Sequence, residues 1–123
     1  MRYLMFISHA HDIKPESAPP GFFGQMEKFV GEAFASGVLK STGGLLNTAD
    51  AARLKLRNGK LNVTDGPFTE AKEIVGGYAI VEAGSRKEAL DLATRFMELH
   101  RQHWPGFEGV SEIRPMEYYE PPK

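Results

Sequence analysis

Two stretches of this chain are apolar on both sides of an extended backbone, and few folds can cover them. Residues 3–7 run without a break, with Tyr3, Met5 and Ile7 on one parity and Leu4 and Phe6 on the other. Residues 74–81 repeat the pattern, with Gly76, Gly77 and Tyr78 inside it. Side chains alternate between the faces of a strand, so both segments belong at the centre of a sheet, buried on each side.

The other segments supply only one layer of cover. His9 to Gly21 contains Pro15, Pro19 and Pro20 and reads as a loop. Phe22, Phe23, Met26, Phe29, Val30, Ala33 and Phe34 recur at helical spacing before Gly37, which predicts a helix over residues 22–36 with Phe22, Met26, Phe29 and Phe34 in the core. A short strand is expected over 38–46. Leu54 and Leu56 then alternate with Arg53, Lys55 and Arg57. Asn58-Gly59 follows, and Leu61 and Val63 alternate with Lys60, Asn62 and Thr64. Asn-Gly between two alternating runs predicts a two-residue hairpin, because both turn residues need positive φ. Its apolar side, Leu54, Leu56, Leu61 and Val63, is the expected packed face, and its basic side points to a projecting or one-sided arm.

Ser85-Arg86-Lys87-Glu88 is a capping box opening a second helix, whose face runs through Ala89, Leu92, Ala93, Phe96 and His100. Pro105-Gly106 stops it, and residues 110–118 give a last strand. The order is an α+β layout, βαββαβ with an inserted β-hairpin, expected to form one core and no second unit. Two helices cover one face of such a sheet. The other face needs a partner, and a homodimer through that face is the simplest expectation.

Composition excludes several functions. Fifteen basic residues against sixteen acidic give a net charge of −1, which argues against nucleic-acid binding. There is no cysteine, so thiolate catalysis and Cys-ligated zinc are out. The first apolar run is too short for a signal peptide or a membrane span, and the expectation is a cytoplasmic protein.

The segment Asp65-Gly66-Pro67-Phe68-Thr69-Glu70-Ala71-Lys72-Glu73, followed by Gly76-Gly77-Tyr78, resembles the signature of the DGPF-motif branch of the YCII-related proteins. The opening MRYLMFIS, the NGKLNVTDGPF hairpin and the closing EIRPM are similar too. The resemblance implies a ferredoxin-like fold that pairs sheet to sheet as a dimeric α/β barrel. Elsewhere in the superfamily a His and an Asp near the first helix are proposed as an acid–base pair, and one relative eliminates chloride from a chlorinated aromatic. Here the expected first helix has neither residue. By resemblance, the family's genomic association with alternative sigma factors points to a regulatory or stress role as the other reading.

Four groups can carry chemistry. Asp65, Glu70, Lys72 and Glu73 fall within nine residues, and a carboxylate beside a lysine can act as general acid or base. The same residues can equally make a turn anchored by Phe68, with the charges paired or solvated. His9 and His11, with Asp12, follow a central strand and can share a side, but two histidines do not complete a metal site. His100 and His103 end the second helix beside Trp104, either as a proton-transfer pair or as a core residue and a cation favoured by the helix dipole. Arg53, Lys55, Arg57 and Lys60 can attract an anion or simply face water. The sequence-based assignment is Asp65, Glu70, Lys72 and His100 as catalytic and His9, Phe68, Glu73, Tyr78 and His103 as ligand-binding. No cofactor and no metal is expected. Two functions stay open: a small-molecule enzyme doing cofactor-free acid–base chemistry, or a non-catalytic dimeric module binding a small ligand or a protein.

Overall fold

A computed structural model describes residues 1–10, 13–117, 119 and 121–122. Strand β1 (Arg2–Ala10) leads to helix α1 (Pro20–Ala35) and strand β2 (Leu39–Gly44). A hairpin of β3 (Ala52–Arg57) and β4 (Lys60–Asp65) precedes β5 (Glu73–Glu82), helix α2 (Arg86–His103) and β6 (Gly109–Met116). The main sheet has the order β2-β5-β1-β6 with every pairing antiparallel, and the hairpin forms a separate two-stranded sheet. This mixed α+β architecture is compatible with a ferredoxin-like fold.

Local chemistry sets the ends of the elements. Pro20 opens α1, where its missing N–H would have had no helical partner. The Glu88 N–H donates to Ser85 Oγ (3.1 Å) and the Gly84 N–H to Glu88 Oε2 (2.9 Å), so the expected capping box forms. Asn58 and Gly59 take φ of 52° and 75°, as a two-residue hairpin turn requires.

The core lies between the sheet and the helices. Tyr3 and Met5 of β1, Leu39 of β2 and Val81 of β5 meet Ala33 of α1 and Ala89, Leu92 and Ala93 of α2. Cross-strand partners share a face, so the register Leu4↔Ile80 and Phe6↔Tyr78 puts these four on the side away from the helices. Ser8 pairs with both Val75 and Val110, which extends that open face across three strands. Tyr78, Val75 and Val110 are exposed there, and Leu4, Phe6 and Ile80 are half-buried. No element of the described chain covers this face.

Several sequence expectations need correction. Strand β1 continues through His9 to Ala10 because both neighbours keep pairing with it, so His9 is a buried strand residue rather than part of a loop. Phe34 was expected in the core but is exposed near the end of α1. The largest correction concerns the hairpin. Its register, Leu54↔Val63 and Leu56↔Leu61, puts the four aliphatics on one face as expected, but they are 62%, 63%, 73% and 62% exposed in that order. Alternation identifies the apolar face of a hairpin and says nothing of what lies against it. Residues His11 and Asp12, and the Tyr118 end expected for the last strand, lie outside the described residues.

Candidate functional site

Aromatic side chains gather where the end of α2 meets the start of β6. The His100 ring is buried, with centroids 4.9 Å from Phe22, 4.7 Å from Phe96 and 4.6 Å from Phe107. Trp104 packs on Phe22 (5.1 Å) and Phe107 (5.0 Å). The helix brings His100 and Trp104 to the same side, four residues apart, and the Pro105-Gly106 turn folds Phe107 back over them.

The imidazole has a defined state. Nδ1 lies 2.9 Å from the Phe96 carbonyl, which can only accept, so Nδ1 carries the proton and Nε2 offers a lone pair. Burial lowers the His100 pKa from 6.5, against the upward pull of that backbone hydrogen bond. His100 is thus the core residue that its place on the apolar face of α2 predicts. No hydrogen bond to Nε2 occurs among the described residues. An open cleft of about 410 Å³ runs beside the ring, bordered by Met97, Glu98, Arg101, Trp104 and Phe107.

His9 lies around the same corner. It pairs with Gly109 across β1 and β6, and Gly109 abuts the Phe107 ring that stacks on His100. The bulge in β5 opposite Ile7 and Ser8 leaves Gly76 facing the His9 imidazole. A Cβ at Gly76 would stand 2.6 Å from His9 Cδ2 and 2.7 Å from Nε2, so glycine leaves the notch that seats this ring. His9 Nδ1 is 2.9 Å from the Ala10 carbonyl, which makes it the protonated nitrogen here as well.

The DGPF segment forms a different cluster, at the root of the arm. Phe68 is buried as expected. Its N–H donates to Thr48 Oγ1 (3.0 Å), and the Gly66 N–H donates to the Ala51 carbonyl (2.7 Å). The Arg53 guanidinium lies 4.0 Å over the Phe68 ring and 3.1 Å from Glu70 Oε1. Asp65, Lys72 and Glu73 are exposed, and Glu73 begins β5 opposite Ala10. Tyr78 is elsewhere again, on the open sheet face, with its hydroxyl 3.4 Å from Ser41 Oγ.

The structure thus brings His9 and His100 to one corner and Asp65, Phe68, Glu70 and Lys72 to the arm, while His103, half-buried at the end of α2, does not line the cleft. Asp65, Glu70 and Lys72 do not line the cleft beside His100. Sequence reasoning missed Phe22 and Phe107 as walls, Gly76 as the seat of His9 and Arg53 as a brace. Only the last had a signal, a cation two residues into a strand that must pass the DGPF turn. Among the described residues no three His, Asp or Glu side chains are grouped to hold a metal ion. No described helix is long and apolar enough to cross a membrane.

Comparison with known proteins gives a family model, the YCII-related domain, matching residues 24–99. The chain belongs to the YCII-related family. This YCII-related chain is also 34% identical over 86 residues to an uncharacterized protein of Rhizobium meliloti (strain 1021). The match covers 70% of the chain and 65% of that relative's length. The matched family segment includes the arm, the DGPF turn and most of α2, and it ends one residue before His100.

Proposed function

We propose that this YCII-related chain, of the DGPF branch, is a homodimeric enzyme acting on a small, partly aromatic molecule without a cofactor. Its ligand lies in the cleft beside His100, and His100 takes a proton from it in an elimination or isomerisation. One observation carries this reading: a buried, neutral imidazole with a fixed tautomer and an unused Nε2 lone pair, next to an open cleft. A proton acceptor needs that state at neutral pH, and burial supplies it. The aromatic walls Trp104 and Phe107 suit a flat apolar ligand.

The dimer is supported by the uncovered sheet face of Leu4, Phe6, Val75, Tyr78, Ile80 and Val110. Pairing two such faces would close the sheets into a dimeric α/β barrel. A second reading, a non-catalytic binding module, draws support from the DGPF charges: Glu70 pairs with Arg53 at the arm and does not border the cleft.

A thermal-shift screen of small aromatic and carbonyl acids tests the proposal, using the native chain and His100→Phe. Hits should bind the native chain and lose at least tenfold in affinity with the variant. Proton NMR in heavy water should then show deuterium entering the bound compound. Binding that His100→Phe leaves unchanged refutes the site, and binding without deuterium uptake favours the module.

A further inference from the structure

Six aliphatic side chains stand in solvent within a short stretch of this chain. Leu45 and Leu46 precede the hairpin arm, and Leu54, Leu56, Leu61 and Val63 form one unbroken face of it. Single exposed leucines are ordinary, but a contiguous patch marks a surface that meets something. The arm is not free to fold back on its own body. Buried Phe68, the Gly66–Ala51 and Phe68–Thr48 hydrogen bonds and the Arg53 guanidinium over the Phe68 ring fasten its root at a set angle.

Charge identifies the partner. Arg53, Lys55, Arg57 and Lys60 against Asp65 give the arm a net +3, and the whole chain is −1, so everything outside the arm sums to −4. Two arms repel each other. An anionic lipid surface would attract the arm but repel the acidic body. The arm of one copy and the body of another carry opposite net charge, which favours their approach, while the basic side chains themselves stand on the face opposite the leucines.

Area points the same way. Four strands at about 4.8 Å spacing and about seven residues long project about 440 Å² of sheet face. A stable interface buries about 800 Å² per partner. The arm face projects about 200 Å² more, and a reciprocal contact counts it twice for each copy, once as donor and once as acceptor.

We infer that each arm lies with its leucine face on the body of a second copy, beside the paired sheets, so that the dimer is clasped from both sides. This rests on the dimer proposed above and adds the element that holds it. The closed two-fold arrangement also hides both arms at once, leaving no leucine face to recruit further copies.

The test compares the native chain with Leu56→Thr/Leu61→Thr by light scattering and analytical ultracentrifugation. Threonine keeps the strand preference and both side chains are exposed in one chain, so circular dichroism should show the variant folded. The clasp predicts a native dimer whose dissociation constant rises at least about 100-fold in the variant. A native dimer unaffected by the variant overturns the clasp and leaves the sheet-paired dimer standing. A native monomer overturns both. A native dimer unaffected by the variant, with arm-dependent sedimentation on phosphatidylserine vesicles, would assign the arm to a lipid surface. Because the chain has no cysteine, Leu56→Cys gives a clean second measurement. It should stay uncrosslinked under oxidation, and a covalent arm-to-arm dimer overturns the arm-on-body arrangement.

Discussion

Phe68→Ala separates a loop that braces the arm from one that merely passes by. A buried phenylalanine hides about 150 Å² more apolar surface than alanine, which is about 3.8 kcal/mol at ~25 cal/mol per Å². Residual compactness of the unfolded chain trims this to roughly 2.5 kcal/mol. The Arg53 guanidinium 4.0 Å above the ring is half exposed, and losing that contact adds about 0.5 kcal/mol. The expected cost is therefore about 3 kcal/mol. A chain of 123 residues has an unfolding entropy near 0.26 kcal/mol/K, so Tm should fall by about 12 °C. Differential scanning calorimetry of the variant measures it directly. Glu70→Gln is the companion: its carboxylate is 67% exposed, and the pair with Arg53 contributes less than about 1 kcal/mol. A fall below about 3 °C in Phe68→Ala, or equal losses in the two variants, refutes the anchor.

Two more outcomes follow from the histidine corner. The folded His100 pKa is lowered below 6.5, so below that pH the unfolded chain binds more protons; stability falls as pH drops through 6.5 and levels off under the folded value. Urea unfolding at pH 7.5 and 5.5 should show this loss in the native chain and a smaller one in His100→Phe, and equal losses contradict the burial argument. Gly76→Ala should cost about 2 kcal/mol and shift the His9 imidazole resonances, because either the ring or β5 must move; an unperturbed His9 spectrum contradicts the notch.

The parts of the fold governed by local rules could be read from residues alone. Asn58-Gly59 dictates its turn, Ser85 and Glu88 dictate a helix start, and two-parity strands dictate a central position. What failed was long-range. The polar His9 hides the last residues of β1 because two neighbouring strands, not its own character, keep it extended. The leucines of the arm reveal their face but not its emptiness. The candidate site was legible as single residues and not as groups: His100 and the DGPF charges look equally chemical in sequence, and only folding sends one to an aromatic corner and the others to the root of a hairpin. Phe22 and Phe107 had no polar signature at all. Their part depends on which ring they happen to meet.

The order β2-β5-β1-β6 sets a timetable for folding. The hairpin closes between neighbours in sequence and can form in microseconds. Strand β1 cannot: Arg2 lies 80 positions from its partner Glu82 and 114 from Met116. During synthesis this twice-apolar segment emerges before both of its neighbours and waits for them, exposed to holdase chaperones and to other nascent chains. A chain stalled or cut before Gly109 would still pair β1 with β5 but leave its other edge bare, a ready template for a neighbouring molecule. Loss of the final strand should therefore appear in cells as insoluble protein rather than as a slightly weaker monomer.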